Sequence, residues 1–189
     1  MAAGEGPYPV PMETPLAQPV PEDKDWTFVL DVPCTECGFV AADVDVTDLS
    51  GLVLAATTPW TQVLARPDAT VRPAPQVWSP LEYACHVRDV LLVFAIRVEL
   101  IRMQDEPRFP NWDQDATAIE DRYWEQDPAE VAVQLQEAAG IIAAAWASVR
   151  ANEWGRPGTR SNGSQFTLAT LGQYFLHDIV HHLHDVGGR

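Results

Sequence analysis

Apolar residues recur at helical spacing in four stretches of the chain, and each stretch begins at a residue suited to cap a helix. The first follows Thr47 or Asp48 through LSGLVLAATTPWTQVLA. Pro59 within it predicts a kink or break, because proline lacks the N–H and crowds the preceding turn. The second opens at Ser79-Pro80, with Glu82 three residues after Ser79 to complete a capping box. Its stripe is Leu81, Ala84, Val87, Leu91, Phe94, Val98 and Ile101. The third starts at Asp127-Pro128 and carries Val131, Leu135, Ala138, Ile142, Ala145 and Val149; the fourth is capped by Thr167 and runs from Leu168 to about Val186, before Gly187-Gly188. Strand-like alternation is scarce. The pattern predicts an all-α fold, an antiparallel four-helix bundle over residues 47–187.

The segments between the helices carry their own signals. Residues 1–24 hold Pro7, Pro9, Pro11, Pro15, Pro19 and Pro21 and read as a flexible, solvated tail. Residues 25–46 are short, turn-rich and expected to be extended along the surface of the main domain, anchored by Trp26, Phe28 and Leu30. Residues 106–126 and 152–166 are long connections for a compact domain. Trp112, Tyr123, Trp124, Trp154 and Phe166 are too many aromatics for disorder, so both loops are expected to fold over an end of the bundle and line a site mouth.

Composition narrows the functions. A chain of 189 residues that is 47% hydrophobic can bury one substantial core. Its net charge of -15 would repel phosphate backbones and anionic lipid, which argues against nucleic-acid and membrane partners. No apolar run approaches the roughly 20 residues of a membrane span. The first residues lack the basic start and apolar stretch of a signal peptide, and a cytoplasmic location is expected. Three cysteines do not make a disulfide framework in a chain of this size.

Four of the five histidines fall within FLHDIVHHLHDV near the C-terminus. At about 100° per residue, His177 and His181 stand one turn apart on one face and can converge on an ion. His184 lies about 10 Å beyond His177 along the axis, too far to share it. His182 points away with Asp178 and Asp185, a set that reads as polar surface or as a contact within a homodimer. A third ligand must come from elsewhere, and the one remaining histidine is His86, two turns into the second helix. Taken alone His86 reads as a core or surface histidine; beside an HxxxH pair in one bundle it reads as a ligand.

The order of WSPLEYACHVRDV on the second helix and LGQYFLHDIVHHLHDV on the last resembles the DinB/YfiT-like superfamily of four-helix metalloproteins. The resemblance covers residues 47–186, and FPNWDQDATAIEDRY with the acidic charge is similar to its actinobacterial branch. It implies a three-histidine site for one divalent transition metal, with His86, His177 and His181 as ligands. It also implies relatives among thiol S-transferases that use bacillithiol or mycothiol. The mycothiol-dependent maleylpyruvate isomerases of the same fold replace one histidine with glutamate, so isomerase chemistry is not carried over.

Three neutral imidazoles would leave the ion its full charge and open positions, the pattern of a catalytic zinc site, although nickel or iron would also accept them. Such an ion lowers the pKa of a bound thiol or water. Asp113 and Asp115 are candidates to orient a ligand or act as general base, or are a charged loop. Trp112, Arg156 and Arg160 are candidates for substrate binding, the arginines for an anionic group. Cys34 and Cys37 have CxxC spacing and read as a turn with two thiols, a redox pair, or part of a metal site completed by another ligand. Cys85 reads as a small core residue. The functional classes are a metal-dependent transferase that adds a small thiol to an electrophile, a metal-containing binding or sensing protein without turnover, and a metal-dependent hydrolase.

Overall fold

A computed structural model describes residues 24–188, so the proline-rich segment lies outside the described residues apart from Lys24. Six α-helices follow one another: α1 (Leu49–Thr57), α2 (Trp60–Leu64), α3 (Pro80–Met103), α4 (Gln114–Glu120), α5 (Pro128–Ala147) and α6 (Leu168–Asp185). The first predicted helix is broken as expected: α1 ends at Thr57, and Pro59 caps α2 with its carbonyl, which accepts from Val63 N at 3.1 Å. Together α1 and α2 fill one position of a four-helix bundle; α3, α5 and α6 fill the others. α5 packs on α1 and α3, and α6 packs on the same two, so α1 and α3 sit on opposite corners.

The cap chemistry sets each start. Ser79 Oγ accepts from Glu82 N, and the Glu82 carboxylate accepts from Ser79 N at 2.8 Å. Asp127 accepts from Ala129 N at 2.7 Å. Thr167 and Thr170 exchange the equivalent bonds at the head of α6. These local bonds satisfy amides that have no partner inside the helix.

The fold is not all-α. Three short strands, β1 (Arg108–Phe109), β2 (Pro157–Arg160) and β3 (Gln165–Thr167), form one sheet in the order β1-β2-β3. β1 runs parallel to β2, and β2 antiparallel to β3. The sheet therefore ties the two long connections to each other. β2 passes so close to α3 that a Cβ at Gly158 would lie 2.7 Å from Ile101 Cδ1. Of the loop aromatics, Tyr123 and Phe166 are buried and Trp154 stacks on Trp146, so they complete the core rather than a mouth.

The segment before α1 is not an extended surface strip. It forms three 3-10 turns, Trp26–Leu30, Ala41–Asp43 and Val46–Asp48, and buries Val29, Cys34 and Ala41. The turn at Trp26–Leu30 packs on α6. No helix among the described residues is long and apolar enough to cross a membrane.

Candidate metal centre

The single set His86, His177 and His181 is not brought together. Among the described residues, metal-ligating atoms instead gather in two groups, each with its atoms within 4.8 Å of one another: His86, Asp178 and His182 in one, and Cys34, Cys37, His177 and His181 in the other. The division follows from the helix. Asp178 and His182 each lie one residue beyond His177 and His181, and that step of about 100° turns them toward α3.

In the first group, His86 Nε2 stands 3.5 Å from Asp178 Oδ1, and His182 Nε2 lies 3.8 Å from the same oxygen. Asp185 Oδ2 lies 3.0 Å from His182 Nδ1 and fixes that ring. His86 is fully buried between Trp78 and Trp112, and the Trp112 ring lies parallel to it at 5.4 Å. Neither ring nitrogen of His86, nor Asp178 Oδ1, has a hydrogen-bond partner among the described residues. Buried polar atoms without partners are costly. Burial holds His86 below the usual histidine range, so the ring is neutral and able to ligate. Burial pushes the Asp178 carboxyl up, but the facing His86 and His182 rings outweigh it and bring it down to about 2. Two imidazoles and a carboxylate within 4.8 Å of one another, with both His86 nitrogens and Asp178 Oδ1 unpartnered among the described residues, fit a divalent ion and leave it open coordination positions.

A cavity of about 800 Å³ opens over this group. Trp78, Tyr83, Trp112 and Tyr174 supply apolar wall, Arg160 and Lys24 positive charge, and Asp113 and Asp115 negative charge. Asp113 and Asp115 thus line the cavity as expected, but Asp113 Oδ1 accepts from Ala116 N at 2.9 Å and caps α4. Trp112 donates its indole N–H to Thr117 Oγ1 at 2.8 Å, which fixes its ring over His86. Arg160 is held by Asn162 Oδ1 and Ser164 Oγ, both at 3.0 Å, against the Tyr174 ring.

Arg156 is a correction. It donates to Ile101 O at 2.8 Å and Gln104 O at 2.7 Å and pairs with Asp105, so it closes the C-terminal end of α3 and is absent from the cavity wall. Sequence reasoning also missed Asp178 and His182 as partners of His86, although the DxxxH spacing is there to read.

The second group lies about 100° further round α6, and its His177 and His181 also reach the wall of the same cavity. Cys34 Sγ is 3.6 Å from His181 Nδ1, and His177 Nε2 has no hydrogen-bond partner among the described residues. Trp26 covers His177 and His181, and Phe39 covers His177. Burial lowers the pKa of His177 to about 4 and raises that of Cys37 to about 11. Cys34, Cys37 and Cys85 are all thiols, and Cys85 is a buried core residue.

The sequence pattern of the DinB superfamily matches residues 52–186. No curated protein matches the chain. Among solved structures the fold is similar to that of YfiT from Bacillus subtilis, described as a probable metal-dependent hydrolase with an unusual four-helix bundle topology. The TM-score is 0.65 at 17% identity, over 75% of this chain and 85% of that one.

Proposed function

This chain belongs to the DinB superfamily, and from that premise we propose that it is a metal-dependent enzyme whose ion sits between His86, Asp178 and His182 and whose substrates enter the cavity above. The observation that carries the reading is the buried His86 ring, with both nitrogens unpartnered, facing a carboxylate and a second imidazole. A divalent ion held there would lower the pKa of a bound thiol or water and deliver a nucleophile at neutral pH. Zinc suits the ligand set best, and nickel or iron would also accept it.

The residues divide the remaining work. Asp185 orients His182 from behind, as carboxylates do for ligating histidines. Trp112 holds His86 in place and shields it from water. Arg160 is the cation that would hold an anionic group of the substrate, fixed by bonds to Asn162 and Ser164. Asp115 lines the cavity and can take the proton released by the nucleophile.

Transfer of a small thiol to an electrophile is the finer reading. A cavity of about 800 Å³ with aromatic walls and charges of both signs can seat a polar thiol and an electrophile together, where hydrolysis needs room for one substrate and water. A thiol of the mycothiol type is the proposed donor. Hydrolysis is the second reading, favoured by the likeness to YfiT, itself described as a probable metal-dependent hydrolase. One assay separates them: metal-loaded protein is mixed with electrophiles and esters, with and without the thiol and with and without chelator. The expected result is conjugation that needs the ion and disappears in His86→Ala. Turnover without the thiol would favour hydrolysis, and conjugation unchanged after the ion is stripped would remove the metal from the mechanism.

A further inference from the structure

We infer that Cys34, Cys37, His177 and His181 form a second, closed metal site that takes zinc and clamps the N-terminal segment to α6. It shares no ligand with the cavity centre, although His177 and His181 also reach the cavity wall and Asp185 stands beside a histidine of each group.

The geometry is close to what a tetrahedral S2N2 shell needs. Zinc–sulfur bonds of about 2.3 Å and zinc–nitrogen bonds of about 2.0 Å, at the tetrahedral angle, place a sulfur and a nitrogen about 3.5 Å apart. Cys34 Sγ and His181 Nδ1 are 3.6 Å apart, from positions separated by 147 in the chain. All four donor atoms lie within 4.8 Å of one another, so small side-chain rotations bring the others to contact.

The surroundings choose which atoms face the ion. His181 Nε2 stands 3.5 Å from Glu36 Oε2 and 3.6 Å from Asp185 Oδ1, so its N–H belongs on that side and the Nδ1 lone pair points to Cys34. Carboxylates behind ligating histidines are the usual outer shell of such sites. His177 offers the unpartnered Nε2. The CxxC turn presents its thiols together. Gly38 takes φ +76°, Gly38 N donates to Cys34 O, and Cys34 N to Phe39 O, both at 2.9 Å, which folds the two sulfurs to one side. Cys34, His177 and His181 are 1%, 3% and 5% exposed.

Four protein ligands leave no open position, which marks a structural site, and two sulfurs select zinc over harder ions. Trp26 and Glu36, carried by the clamped segment, line the cavity over the first group. The clamp therefore builds one wall of the substrate site.

The test uses tag-free, full-length protein purified in the presence of zinc. Elemental analysis should give two ions per chain in the native protein, one in Cys34→Ser/Cys37→Ser, and one in His86→Ala/His182→Ala. Replacement of zinc by cobalt should give thiolate-to-cobalt charge-transfer absorption in the native protein and in the His86/His182 variant, and none in the cysteine variant. The cobalt spectrum of the native protein needs no variant to fold. A native spectrum without that absorption, equal metal content in the cysteine variant, or a Cys34–Cys37 disulfide in the metal-loaded protein overturns the site. Charge-transfer absorption together with unchanged metal in the His86/His182 variant would uphold this site and remove the cavity centre.

Discussion

Glu82→Ala should be among the most damaging single changes in the chain, although Glu82 touches no substrate. Its carboxylate is 1% exposed and accepts from four donors. Ser79 N and Oγ lie at 2.8 and 2.9 Å, Arg72 Nε at 2.8 Å, and Arg72 Nη2 completes the set. Removing one partner of a largely buried ion pair costs about 3–5 kcal/mol, because the other charge loses its main compensation. The lost capping box adds to this by an amount of about 1 kcal/mol that overlaps with it. A net loss of about 4 kcal/mol is a large share of a typical folding stability of about 5–15 kcal/mol. In a chain of this size it should lower Tm by about 8–16 °C. Urea and thermal unfolding in excess chelator, which removes metal linkage, would measure it. Glu82→Gln keeps a cap acceptor and should fall between the two proteins, while Arg72→Met/Glu82→Met should recover most of the loss. A Tm change under about 2 °C for Glu82→Ala, or a double variant no more stable than the single one, refutes the reasoning.

Three further outcomes rest on other parts of the fold. Arg156→Met should cost about 1–2 kcal/mol by freeing the α3 carbonyls and leave KM unchanged, whereas Arg160→Met should raise KM for an anionic substrate with little effect on Tm; equal effects on KM would return Arg156 to the site. In metal-free protein, His86, His177 and His181 are all held below the ordinary value of 6.5 by burial. The unfolded chain therefore binds protons first, so stability is full above about pH 6.5 and falls as pH drops toward about 4; a flat Tm over that window would contradict the burial of these rings. Gly172→Val should destabilise by about 1–3 kcal/mol, since even a Cβ there would lie 2.3 Å from Leu49 Cδ1 and 3.4 Å from Trp146; an unchanged urea midpoint would show that α1 gives way.

The helix starts were legible because caps are local: Ser79, Asp127 and Thr167 each act within three residues. The sheet was not, because strands of two to four residues carry no period and β1 meets β2 only through tertiary packing. Residues 25–46 misled for a related reason, since 3-10 turns leave little pattern. In the candidate site, His86 was singled out only because an HxxxH pair lies in the same bundle. Which α6 side chains stand beside His86 was not read from the sequence, although the signal was present. Measured from buried Phe175 at about 100° per residue, Asp178 and His182 fall about 60° and 20° away, on the bundle side. His177 and His181 fall about 160° and 120° away, on the back of the helix. A buried pair on the back needs a cover, and the CxxC segment provides it.

With ions bound in both groups, α6 would be keyed at two bearings on different sides of its axis. Rolling the helix would withdraw His182 from one ion as it pressed His181 against the other, and sliding it would strain both shells at once. The helix then has no soft coordinate left, and the wall of the cavity it forms acts as a fixed jaw. The facing wall is held differently, since residues 111–115 and 160–162 hang on a sheet of three short strands.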